Sequence, residues 1–240
     1  MSRADLDEQI AGVASLAEPQ RRNLYRYVVA QDRPVGKDEA ATALGLARSV
    51  ATFHLDRLVA DGLLATEYRR LTGRTGPGAG RPAKLYRRAD REIAVNLPAR
   101  DYGLAADVLA TAVSAAEEAG TPVADALAGA AADRGRRIGA EVARRLPRTA
   151  DRGDVVDAAL EVLDEQGYEP RRQGDEVVMA NCPFHALVED HRSLVCGMNL
   201  DLLDGMTSAL PPGILAARLD PSDDACCVRI SVREAPAAPD

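Results

Sequence analysis

The chain has 240 residues, 46% of them hydrophobic, and a formal net charge of −7, which is enough apolar material for more than one buried core. No apolar run approaches the ~18 residues a bilayer crossing needs, and the N-terminus MSRADLDEQI lacks the basic and apolar regions of a secretory signal. The expected compartment is the cytoplasm, with no membrane partner, where clustered cysteines serve metal or redox chemistry more often than structural disulfides.

The net charge conceals a division. Residues 19–91 carry 15 Lys plus Arg against 7 Asp plus Glu, leaving 15 of the 30 basic and 30 of the 37 acidic residues to the remainder. A basic module on an acidic body is the electrostatic footprint of a nucleic-acid-binding head on a regulatory domain; a solvated charged face would give the same count.

In chain order, Pro19–Ala30 spaces Leu24, Tyr25, Tyr27, Val28 and Val29 as a packed helix requires, and Asp32, Pro34 and Gly36 end it. Lys37–Leu44 predicts a short second helix, with Gly45 where a left-handed residue is wanted and Leu46 plugging the turn. Ala47–Asp61 predicts a longer helix with Val50, Ala51, Leu55, Leu58 and Val59 on its core face. Arg48, Ser49, Thr52, Phe53, His54, Asp56 and Arg57 are expected to point away from that face. Gly62 ends this helix, Leu63–Leu71 reads as a strand, and TGRTGPGAGRPA is a Gly/Pro-rich hairpin tip before the strand KLYRR.

Two helices joined by a tight Gly turn, then a strand, a basic loop and a strand, describe a winged helix-turn-helix. The string EAATALGLARSVATFHLDRLVADGLL resembles the ArsR/MarR-like bacterial repressors. The resemblance implies double-stranded operator DNA as partner, with the third helix in the major groove and the wing on the backbone or minor groove. Arg48, Ser49, Thr52 and His54 are then the candidates for base or phosphate contacts and Arg57 for phosphate, while Arg74, Arg81 and Lys84 in or beside the wing add salt-dependent affinity. Ala47 departs from the Ser or Thr N-cap usual there, at a cost of roughly 1 kcal/mol. A winged helix can also serve protein contacts alone.

Tyr102–Ala119 is a helical pattern ended by Gly120. Thr121-Pro122 restarts a helix, with Thr as N-cap and Pro at its first position, running to about Leu146 with Val123, Leu127, Ile138, Val142 and Leu146 on one stripe. These helices are the expected homodimer interface, since a two-fold dimer spans two half-sites; packing on the C-terminal part is the alternative. From Asp151 the pattern gives a helix over Val155–Gln166, two strands around a Gln-Gly-Asp turn in YEPRRQGDEVVMA, a mostly helical stretch, and two short strands, ILAARLD and CCVRISV. The fold class is therefore α+β: residues 1–94 a DNA-binding winged helix, 95–148 a helical dimerisation spacer, 149–234 a small α+β domain with an antiparallel sheet, and 235–240 a frayed tail.

All four cysteines, Cys182, Cys196, Cys226 and Cys227, lie in this last part, with His185 and His191 nearby. Thiolate and imidazole are ligands that zinc, copper and iron–sulfur clusters prefer. The spacing is not a zinc-ribbon repeat. The chain does resemble the SufR family of iron–sulfur-responsive repressors, through the helix-turn-helix, the helical spacer and the run from Asn181-Cys182-Pro183 through Leu194-Val195-Cys196 to the late cysteines. That resemblance implies an iron–sulfur cluster on Cys182, Cys196 and one of the late pair, with zinc as the alternative.

Two geometric constraints apply. Neighbouring residues of a strand face opposite ways, so Cys226, in phase with Val228, Ile230 and Val232, is favoured as the inward ligand, leaving a place for His185, His191 or Cys227. Were 182–196 one straight helix, Cys182 and Cys196 would stand about 21 Å apart, so a shared site needs a break around Asp190–Ser193. The resulting expectation is a homodimeric repressor in which loss or oxidation of the cluster changes the spacing of the two winged helices and releases DNA. Simple packing of the thiols, a metal-free switch pairing Cys182 with Cys196, and an enzymatic domain with Cys182 as nucleophile near His185 are the competing readings. For the last, no oxyanion-hole glycine loop, phosphate loop or orienting third residue is legible, so no enzymatic activity is expected.

Overall fold

The computed structural model describes residues 3–70, 82–222 and 225–233, which form eight helices and two small antiparallel sheets. No helix among the described residues is long and apolar enough to cross a membrane. The chain divides into two compact units, Ser2–Val95 and Asn96–Asp240.

In the first unit, α1 (Arg3–Ser15) precedes α2 (Pro19–Val29), β1 (Val35–Gly36), α3 (Lys37–Ala43), α4 (Arg48–Ala60), β2 (Leu64–Arg69) and β3 (Ala83–Arg88). The α2 helix begins where sequence rules place it: Pro19 occupies its first turn, and the Glu18 carboxylate accepts from the N–H groups of Gln20 and Arg21. Gly45 takes φ +63° after α3, which lets the Leu46 N–H reach the Ala41 carbonyl at 2.9 Å and turns the chain tightly into α4. Leu24 and Val28 of α2, Ala40 of α3, and Ala51, Leu55 and Leu58 of α4 close a core with Val35 and Tyr86. The sheet order is β1-β3-β2, with Thr66 opposite Tyr86.

Helix α1 is not among the elements expected from the sequence, and polar contacts help to hold it. Gln9 Oε1 accepts from the Ala94 N–H at 2.8 Å and Glu8 pairs with Arg91, whereas Ile10 and Val13 are exposed. Leu6, Ile10 and Val13 do recur at helical spacing, but the last two face solvent and mark no buried face.

The second unit holds α5 (Tyr102–Ala119), α6 (Val123–Arg145), α7 (Arg152–Glu165), β4 (Pro170–Gln173), β5 (Glu176–Met179), α8 (His185–Ser208), β6 (Leu215–Leu219) and β7 (Val228–Val232). Its sheet runs β4-β5-β7-β6, antiparallel throughout. Helix α5 starts on Asp101, which accepts the Leu104 N–H at 2.8 Å, and ends at Gly120 with φ +65°. At α6 the expected cap shifts by one residue, because Pro122 and not Thr121 takes the N-cap position.

The expected division at residue 148 gives way to a single core. Leu127, Ile138 and Val142 of α6 are buried with Val155 and Val162 of α7, Leu202 and Met206 of α8, and Ile230 of β7. The reason is close approach: a Cβ on Gly135 would run into the Leu202 carbonyl, and one on Gly205 into the backbone of Ala132. The small residues of α6 thus serve packing inside the unit. The tail 235–240 lies outside the described residues.

Candidate functional site

The cysteines come from three segments. After β5, Asn181 turns its side-chain amide inward, donating to the Gly167 carbonyl at 2.6 Å and the Ala99 carbonyl at 2.8 Å. Arg100 donates to the Asn181 side-chain oxygen and to the Cys182 carbonyl, the latter at 3.3 Å. These bonds fix Cys182 at the entry to α8, whose first residue, His185, donates its N–H to the same carbonyl at 3.2 Å. The break expected around Asp190–Ser193 is present: His191 has φ −131° and ψ 38°, a kink between two helical stretches. Cys196 follows on the second stretch and is buried.

Cys226 and Cys227 lie just before β7 and not within it, which corrects the strand reading. The Cys226 N–H donates to the Met179 carbonyl at 3.0 Å, and the Cys227 carbonyl accepts from the Asp220 N–H at 2.7 Å. In this irregular stretch strand alternation does not apply, so both late cysteines are buried and both reach the same place. All four cysteines and His185 line one pocket of about 50 Å³. His191 stays exposed at the kink and is not among the lining residues.

Within the pocket Cys196 and Cys227 form a disulfide, with their Cα atoms 6.2 Å apart. The pairing of Cys182 with Cys196 is thereby corrected: Cys182 and Cys226 keep free thiols. These two are joined by a hydrogen bond, which draws Cys182 down to about 7. Burial opposes that shift, and the Phe184 N–H and the charge of Arg100 assist it. The same bond, together with burial, pushes Cys226 up. Behind Cys226, Asn199 donates to its sulfur at 3.2 Å and accepts from the Tyr168 hydroxyl at 2.6 Å. Tyr168 and Asn199 are both fully buried, and neither carries a sequence signal beyond being polar in an apolar stretch.

The donor set suits a thiophilic metal or an iron–sulfur cluster. Two sulfurs present themselves as they stand, and two more follow once the Cys196–Cys227 bond is reduced. Among the described residues, no group of three or more His, Cys, Asp or Glu side chains is arranged to grip an ion while that bond is closed. With the disulfide closed, the pocket measures about 50 Å³.

In the other unit, α4 exposes Arg48, Ser49 and Arg57. Arg48 pairs with Asp38 at 2.6 Å and Arg57 with Asp61 at 3.0 Å, while the Thr52 hydroxyl donates to the Arg48 carbonyl at 2.7 Å. Lys84 pairs with Asp56 at 2.6 Å, and Asp56 also accepts from the Tyr86 hydroxyl at 2.8 Å. His54 is a correction: it is 7% exposed, its Nδ1 accepts from Arg21 Nε at 3.4 Å, and Glu18 lies 3.7 Å away. It belongs to the core face, one turn from Leu58, and leaves little surface for an outside ligand. Arg74 and Arg81 lie outside the described residues. The structure adds Lys37, Tyr68 and Arg69, which line a groove of about 690 Å³ with Arg48 and Lys84.

No family model, curated protein or solved structure matches this chain.

Proposed function

We propose that this chain is a DNA-binding transcriptional repressor of the winged-helix type, working as a homodimer, with the cysteine pocket of its second unit as the sensor. The observation that carries the reading is the convergence of every cysteine in the chain on one pocket, in the unit that does not hold the basic surface. A solvated α4 carrying Arg48, Ser49 and Arg57, preceded by a tight turn and followed by a basic hairpin, supports a helix that enters the major groove. The groove beside it, where Arg33, Lys37, Arg48, Arg69 and Lys84 outnumber Asp38 and Glu39, supports contact with phosphate.

An iron–sulfur cluster is the group this reading assigns to the pocket, on Cys182, Cys226 and the reduced Cys196 and Cys227, with His185 at the rim; bound there, it supplies oxidation-sensitive redox chemistry. The protein's own residues prepare the site. Arg100 offsets negative charge at Cys182, the Tyr168–Asn199 pair orients Cys226, and the kink at His191 lets Cys196 face the others. Coupling to DNA requires that the occupied and empty pocket favour different arrangements of the dimer.

The Cys196–Cys227 bond favours a second reading, a metal-free regulator that responds through thiol oxidation. Purification without oxygen, with analysis of iron, sulfide and zinc and a visible spectrum, tests both. Iron with sulfide and a brown colour, lost in Cys182→Ser, supports the first reading. Colourless protein free of metal, whose DNA affinity follows thiol oxidation, supports the second, and stoichiometric zinc without colour replaces the cluster with a zinc centre.

A further inference from the structure

The chain has two phenylalanines, and they are used in opposite ways. Phe184 is wholly buried, whereas Phe53 is 64% exposed in the middle of α4. Helical spacing puts Phe53 on one face with Ser49 and Arg57, four residues to either side. Its ring stands edge-on to that of His54, with centroids 5.2 Å apart. His54 is in turn held by Arg21 and Glu18, so the ring rests on a fixed base.

An exposed aromatic has three common explanations. It can be incidental, it can belong to an apolar patch that docks a protein, or it can seek one apolar feature on a polar partner. The surroundings disfavour a patch: Phe53 is the only exposed large apolar side chain on α4, and Arg48, Ser49, Asp56 and Arg57 around it are polar. A polyanion suits the arginines, and the floor of the DNA major groove carries one apolar projection, the C5 methyl of thymine.

We infer that Phe53 is a specificity-determining residue that packs on a thymine methyl in each half-site. This rests on the DNA-binding reading proposed above. The inference assigns sequence discrimination to an apolar contact and leaves the neighbouring arginines with phosphate.

The test uses the full chain and a random-sequence duplex library to select bound DNA, followed by replacement of each thymine with uracil, which removes only the methyl. For the wild type, one thymine per half-site should lose about fourfold in affinity on replacement, as expected for one buried methyl-sized group. Phe53→Ala should bind the thymine duplex as weakly as the wild type binds the uracil duplex and should not distinguish the two, while Phe53→Leu should retain part of the preference. Equal sensitivity to uracil in the wild type and Phe53→Ala overturns the inference, as does a wild type indifferent to every replacement; in both cases DNA binding itself stands. Enrichment of no duplex overturns the DNA-binding reading along with it.

Discussion

The side-chain amide of Asn199 donates to the sulfur of Cys226 across 3.2 Å, while its oxygen accepts the Tyr168 hydroxyl at 2.6 Å. A buried tyrosine is thus coupled through one asparagine to the thiol that hydrogen-bonds Cys182. Tyr168→Phe removes a donor and leaves a buried amide oxygen unsatisfied, so it should destabilise the fold by about 1–3 kcal/mol. Asn199→Leu should in addition alter the reactivity of Cys182, because Cys226 loses the group that orients it. Urea denaturation and timed alkylation of the two variants check these outcomes separately.

Cys182 should behave as the acidic thiol. Its hydrogen bond from Cys226 draws it down to about 7, so its thiolate form should build up as pH rises through that value. In protein kept in this state, iodoacetamide labelling of Cys182 should show a midpoint near 7. Cys226→Ala removes the donor and should return the midpoint toward the ordinary ~8.5 of a free thiol. An unchanged midpoint in Cys226→Ala would show that the bond does not set the acidity.

The contact between α6 and α8 predicts a strong response to the smallest substitutions. A methyl at Gly135 meets the carbonyl of Leu202, and one at Gly205 meets the backbone of Ala132. Gly135→Ala and Gly205→Ala should each cost about 1–3 kcal/mol, as overpacking does, although alanine is the better helix former. Gly129→Ala on the same helix, with open space around it, should be neutral or slightly stabilising. Thermal denaturation of the three variants gives the comparison.

Arg57 and His54 should separate binding from folding. Arg57→Ala should weaken binding to all duplexes alike and lower the salt slope by about 1, as loss of a phosphate contact does, with the fold intact. His54→Ala should instead destabilise the first unit by about 1–3 kcal/mol through the loss of a buried hydrogen-bonded ring. A His54→Ala variant with native stability and relaxed sequence preference would reverse the burial assignment.

Much of this architecture is legible in the sequence where local chemistry dictates it. Gly45, Gly62 and Gly120, all at positive φ, mark helix ends by the same steric rule used to read them. The break near His191 is legible from a demand of the site, since Cys182 and Cys196 cannot share a pocket along a straight helix. His54 misleads because its polarity suggests a solvent face, whereas its place one turn before Leu58 and the polar partners from α2 put it inside. The small residues of α6 announce close approach without naming the partner, and α8 of the same unit is one such partner. Which cysteines meet depends on a two-residue irregularity before β7, and no periodic pattern encodes that.

The central claim is that the state of the cysteine pocket governs DNA binding. Its most direct test measures the affinity of oxygen-free protein for a selected duplex at fixed salt, before and after the pocket is emptied and its thiols oxidised. The account predicts a change of roughly 5–150-fold, the usual range of coupling between two sites, abolished in Cys182→Ser. Equal affinity in the two states would contradict it.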